Sequence, residues 1–103
     1  MAKTTLIGTL TKVDEIRELK SGKWVEDLII WEAGTGPKPI DHPFHIQSYS
    51  DTQAEARKKS FKAYEKCKVE AEVFINGYQY ESKTKPGTIN YAARFSLKNL
   101  IEK

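Results

Sequence analysis

The sequence predicts an all-β fold with one helix: five strands, the helix lying between the third and the fourth. Three observations predict it. Short strand-like runs recur between turns rich in Gly, Pro and Ser, and a single run of helix formers interrupts the series. The chain has 103 residues, which is room for one hydrophobic core and one domain spanning residues 1–103.

Residues Thr5 to Arg17 read as the first strand, rich in Thr, Ile, Leu and Val but imperfectly alternating. Gly8 within it marks a bulge or the sharp bend of a small barrel's first strand. Lys20-Ser21-Gly22-Lys23 is a turn in which Gly22 is free to take positive φ, and Trp24 to Ala33 returns as the second strand of a hairpin. Gly34-Thr35-Gly36-Pro37-Lys38-Pro39 is a loop by composition, and Phe44 to Tyr49 is the third strand.

A helix is expected over Ala54 to Lys66. Either Ser50 with Gln53 or Thr52 with Glu55 forms its capping box, and Phe61, Tyr64, Ala54 and Cys67 form its apolar stripe. Arg57, Lys58, Lys59, Lys62 and Lys66 on its other faces read as solvated charge. The fourth strand is the clearest element. Val69, Ala71, Val73 and Ile75 alternate with Glu70, Glu72, Phe74 and Asn76, which leaves Phe74 as an aromatic ring on the polar face. Without a bulge, Tyr78 and Tyr80 share that face. After the Lys83-Thr84-Lys85-Pro86-Gly87 loop, Asn90 to Ile101 form the last strand. It turns Tyr91, Ala93, Phe95 and Leu97 one way and Ala92, Arg94, Ser96 and Lys98 the other.

A helix between the third and fourth of five strands matches the OB-fold barrel, in which it plugs the open bottom; an α+β open sheet shares the same order. The run from Thr5 to Leu19, with Gly8-Thr9-Leu10, Glu15-Ile16-Arg17 and Ser21-Gly22 followed by Leu28-Ile29-Ile30, resembles the opening of bacterial and phage single-stranded DNA-binding proteins. The segment from Phe44 to Gly77, ending in Val69-Glu70-Ala71-Glu72-Val73-Phe74-Ile75-Asn76-Gly77, is similar to the second half of that family and to short bacterial OB proteins of related layout.

The resemblance implies a five-stranded OB barrel whose strand aromatics stack on bases while basic residues hold phosphates. The implied setting is DNA replication, repair or recombination in a cell or a phage. Matched positions are Trp24 and Trp31, Phe44, and Phe74 with Tyr78. Two features depart from the family. The chain stops at Ile101-Glu102-Lys103 with no acidic tail, and Glu26, Asp27 and Glu32 stand near the tryptophans, where they repel phosphate if they share the binding face.

Composition narrows the function classes. The longest apolar run, Leu28-Ile29-Ile30-Trp31, falls far short of the roughly 20 residues of a membrane span. The opening residues Met1 to Leu6 hold no secretory signal, so a cytoplasmic protein is expected. The single cysteine, Cys67, excludes an internal disulfide and a cysteine-based zinc site. His42 and His45 lack a third clustered ligand, and neither a metal nor a cofactor is expected. No phosphate loop, nucleophile elbow or carboxylate pair points to an enzyme; Asp14 and Glu15 are adjacent, which sets them on opposite faces of a strand.

The net charge of +3 favours a polyanion only mildly; its distribution says more. Lys83 and Lys85 share a loop beyond Tyr78 and Tyr80, Lys23 precedes Trp24, and Arg94 and Lys98 lie on one strand face. Flat rings interleaved with cations suit single-stranded nucleic acid, DNA or RNA, bound with little sequence preference. The candidate contacts are therefore Lys23, Trp24, Trp31, Phe44, Phe74, Tyr78, Tyr80, Lys83, Lys85, Arg94 and Lys98. The two tryptophans are seven residues apart and face opposite ways. Trp31, after an aliphatic run, is expected in the core, and Trp24 is the better stacking candidate. A homodimer or tetramer formed through an edge strand would add avidity. The rival reading is an OB-type protein adaptor in a replication or phage assembly, its aromatics forming the interface.

Overall fold

The computed structural model describes residues 2–34 and 36–103; Met1 and Thr35, which belong to the opening segment and the Gly34–Pro39 loop of the sequence reading, lie outside them. Six strands occur in the order β1 (Ala2–Val13), β2 (Arg17–Glu18), β3 (Trp24–Glu32), β4 (His42–Ser50), β5 (Lys68–Glu81) and β6 (Ile89–Glu102). One helix, α1 (Gln53–Lys59), and a 3-10 turn at Lys62–Tyr64 separate β4 from β5. In chain order the helix thus follows the fourth strand rather than the third. The shift arises because Arg17–Glu18 forms its own short pairing with Val25 and Trp24 instead of continuing β1.

The long strands close on themselves in the sequence β1-β5-β6-β4-β3, with β3 returning to β1. This is the closed five-stranded OB barrel. Closure depends on β1, which pairs with β5 along its first half and with β3 along its second; Gly8 and Thr9 belong to both ladders. At Gly8 the backbones crowd so closely that a Cβ would stand 2.1 Å from the Trp31 carbonyl oxygen, which only glycine avoids. Between Leu10 and Lys12 the β1–β3 register slips, leaving Thr11 as an extra residue. That bulge is why alternation along this strand looked imperfect. It lets Leu6 and Leu10 before it and Val13 after it all face the core.

The core is built from one face of each strand: Leu6, Leu10 and Val13 of β1, Leu28 and Ile30 of β3, Ile46 of β4, Val69, Ala71 and Val73 of β5, and Leu100 of β6. Gly22 takes a φ of +89° in the first hairpin turn, which explains the glycine there. The helix is shorter than its composition suggests. Thr52 caps it by accepting from the Glu55 N–H at 3.1 Å, so of the two registers the Thr52–Glu55 one forms. It stops at Ser60 because buried Glu26 on β3 accepts from the Ser60 hydroxyl and, at 2.8 Å, from the Phe61 N–H, pulling the chain out of helical conformation. Ala56, not Ala54, is the helix's buried residue, and Phe61 packs on the core from beyond its end. Among the described residues no helix is long and apolar enough to cross a membrane.

Candidate nucleic-acid interface

The alternation of β5 and β6 sets one row of side chains outside the barrel. Phe74 lies opposite Ser96, Asn76 opposite Arg94, Tyr78 opposite Ala92 and Tyr80 opposite Asn90, with no register shift between them. Phe74, Tyr78, Tyr80 and Arg94 therefore share one face, as the sequence predicts. Lys98 joins them from the bulge that faces Glu72 and Val73. Its ammonium sits 5.9 Å from the centre of the Phe74 ring, and the Arg94 guanidinium covers the Tyr78 ring at 4.6 Å. Tyr80 stands 6.0 Å from Tyr78, centre to centre. A cation on the face of an outward ring gives both a stacking platform and a phosphate ligand. The Lys98 ammonium is shared with Glu72 at 3.8 Å, whereas Arg94 is committed only to the Tyr78 ring among the described residues.

Strands β4 and β6 are parallel but share only the pairs Ile46–Phe95 and Gln47–Ser96. Beyond that short seam they part, and an open groove lies between Pro43, His45 and Gln47 on one side and Tyr78, Ala93 and Arg94 on the other. The outer face continues past the groove. His45 and Gln47 of β4 lie opposite Ile29 and Asp27 of β3, and Trp31 lies opposite Pro43.

Asp27 anchors this part of the face. It is 6% exposed, although it lies on the side of β3 away from the core. One carboxylate oxygen accepts from Arg17 Nε at 3.0 Å; the other meets His45 Nε2 at 2.7 Å and the Gln47 amide at 3.3 Å. Tyr49 in turn donates to Gln47 Oε1 at 2.6 Å. Burial alone would raise the Asp27 carboxyl, but the bonds from Arg17, His45 and Gln47 outweigh it and hold the group below the usual carboxylate range. The same contact raises Arg17 further above its ordinary value. Two of the three acidic residues of β3 are thus turned from the outer face or neutralised there, while Glu32 stays half-buried beside His42 at the far end of the strand. Glu26 faces the helix junction, and Asp27 is paired and covered.

The other candidate residues are dispersed. Trp31 is 41% exposed on the outer face, not in the core as expected, because the inward positions of β3 are filled by Leu28 and Ile30. Trp24 falls on the inward side, half-buried beside Ser50 at the helix end of the barrel, seven residues and about 23 Å of strand from Trp31. Lys23, next to it, pairs with Asp51 at 3.4 Å. Neither joins the Tyr78 face. Phe44 faces inward, packing edge-on against Phe95 at 5.6 Å and against the core, and the two rings together line the floor of the groove. Lys83 and Lys85 are exposed on the β5–β6 loop, where Ser82 Oγ accepts from the Lys85 N–H and holds the turn.

Arg17, His45, Gln47 and Tyr49 meet on the outer face, a placement that the sequence reading does not give them, since it weighs His45 only as a metal partner of His42. The signal was the alternation of Pro43, His45, Gln47 and Tyr49 against Phe44, Ile46, Ser48 and Ser50. Tyr91 has the same facing as core-facing Phe95 but is 77% exposed, because it lies where the β5–β6 hairpin has outrun the barrel.

No protein-family model matches the chain, and no curated protein matches it in sequence. Solved structures match it in fold. The mitochondrial single-stranded DNA binding protein Rim1 of S. cerevisiae superposes with a TM-score of 0.69 at 14% identity, over 98% of this chain and 93% of that one. The protein PriB of Ralstonia solanacearum superposes at 0.64 and 11% identity, over 100% of this chain and 99% of that one. At such identities the likeness establishes the OB fold.

Proposed function

We propose that this chain binds single-stranded DNA across the outer face of β5 and β6 and the adjoining groove, without chemical change to the strand. The observation that carries the reading is the juxtaposition of Phe74, Tyr78 and Tyr80 with Arg94 and Lys98 beside the parting of β4 and β6. A likeness in fold to the single-stranded DNA binding protein Rim1 supports it. Bases stack on the tyrosines and on the plane of Arg94, Trp31 takes a further base beyond the groove, and the Lys83 and Lys85 loop holds phosphate at the far end. Stacking contributes about 1–3 kcal/mol per base and tolerates any base, so sequence preference is weak. The binding unit is residues 1–103 as one domain, and self-association into a dimer or tetramer adds avidity.

Titration of fluorescent oligo-dT and of a duplex of equal length, each over a range of salt, tests the reading. Single strands should bind at least tenfold more tightly than duplex at matched salt. Equal affinities overturn it, because paired bases cannot reach the rings.

A further inference from the structure

We infer that His45 is a phosphate ligand of the groove, held in place by Asp27 and switched on by its own protonation. The inference rests on the nucleic-acid reading above and adds to it a residue and a condition. His45 lines the groove, and its side chain is 55% exposed. Its Nε2 is committed to Asp27 Oδ1 at 2.7 Å, which fixes the ring; Nδ1 has no protein partner among the described residues. A ring bound this way presents a bare lone pair when neutral and an N–H donor with a full charge when protonated.

The surroundings make the proton's arrival matter. From β3, Asp27 faces the ring directly, and Ile29, its cross-strand neighbour, is apolar. Arg17 of β2 occupies the other Asp27 oxygen. On β4 the nearest polar groups are Gln47, itself tied to Asp27, and Tyr49, tied to Gln47. Across the groove stand Tyr78 of β5 and Arg94 of β6. Arg17 balances Asp27, so Arg94 is the surplus cation of this stretch. A protonated His45 doubles that surplus at the point where the groove is open. A phosphate set in the groove by Arg94 is held more tightly by the protonated ring, which donates from Nδ1, than by the neutral one, which cannot. Binding and protonation therefore promote each other.

The test uses oligo-dT, whose bases do not titrate between pH 5.5 and 8, with the native protein and the H45Q and H42Q variants. For each protein, the fold is checked by circular dichroism at both pH values. Native protein should bind about three- to tenfold more tightly at pH 5.5 than at pH 8. Its slope of log affinity against log salt should steepen by about 0.7, the value for one more neutralised phosphate. In H45Q the ratio between the two pH values should fall to near one and the slope should stay constant, whereas H42Q keeps the native ratio. Native and H45Q ratios that agree, with binding measurable throughout, overturn the role of His45 and leave single-strand binding standing. A ratio abolished by H42Q instead assigns the proton to His42 and overturns it likewise. No binding of oligo-dT at either pH overturns both this inference and the reading beneath it.

Discussion

Phe74 and Val73 occupy neighbouring backbone positions and opposite environments. Val73 is fully buried among the core residues, while Phe74 is half-buried on the outer face beneath the Lys98 ammonium. Truncating Val73 to alanine leaves a cavity, so V73A should lower stability by about 1–2.5 kcal/mol while a folded fraction binds oligonucleotide normally. Truncating Phe74 opens no core cavity. F74A should keep the melting temperature within a few degrees and cost about 1–3 kcal/mol of oligo-dT affinity. Chemical denaturation beside the binding titration checks both. If F74A instead dissociates an oligomer and leaves affinity intact, the outer aromatics are a protein interface.

At the level of elements, β1 and the β5–β6 hairpin each make a claim that can be checked. A side chain at Gly8 would strike the Trp31 carbonyl where β1 passes from one ladder to the other. G8A should therefore destabilise the barrel by about 1–3 kcal/mol, read from its denaturant midpoint. The hairpin carries Lys83 and Lys85 exposed at its tip, and among the described residues no carboxylate pairs with either. Replacing both by alanine should flatten the salt dependence of oligo-dT binding by about 0.7 for each phosphate they neutralise, with stability unchanged. An unaltered slope places the path of the strand elsewhere.

The same elements show what was legible in the sequence. The alternation from Val69 to Tyr80 is unbroken, so the inward Val69, Ala71 and Val73 and the outward row of Phe74, Tyr78 and Tyr80 were both legible, while Ile75 falls only half-buried at the edge of the core. Strand β1 was harder, because the bulge at Thr11 resets its phase. The helix end was illegible, since it is decided by Glu26, a residue more than thirty positions away in sequence. The facing of the tryptophans is the reverse of the expected one for a reason local to β3. Leu28 and Ile30 of the aliphatic run take the inward sites, and parity then sends Trp31 out and Trp24 in. The Asp27 cluster joins three strands, a convergence that no single stretch of sequence displays.

The molecule as a whole should respond to acid through the carboxylates it holds ionised. Asp27 is kept below its ordinary range by Arg17, His45 and Gln47 against the effect of burial. Glu65 is kept there by the Val13 N–H and by Lys62. An unfolded chain binds protons at these groups at higher pH than the native barrel does. Their contribution to stability is therefore complete above the ordinary carboxylate range and is lost as pH falls through the lowered values. Thermal unfolding followed from pH 6 down to pH 2.5 should show that loss, and D27N should show a shallower one from a lower starting point. The partner exchange of β1 reaches further still, into synthesis. Gly8 finds one neighbour at Glu32 and its other at Val69, about sixty residues downstream. At about 5–20 residues per second, a ribosome takes roughly 3–12 seconds to make that stretch. Once β3 and β4 have been made, late in that interval, the emerging chain can form its first meander but carries β1 with one side open to any passing strand. The period of greatest exposure to aggregation thus falls before the last two strands are made, and slower translation lengthens it.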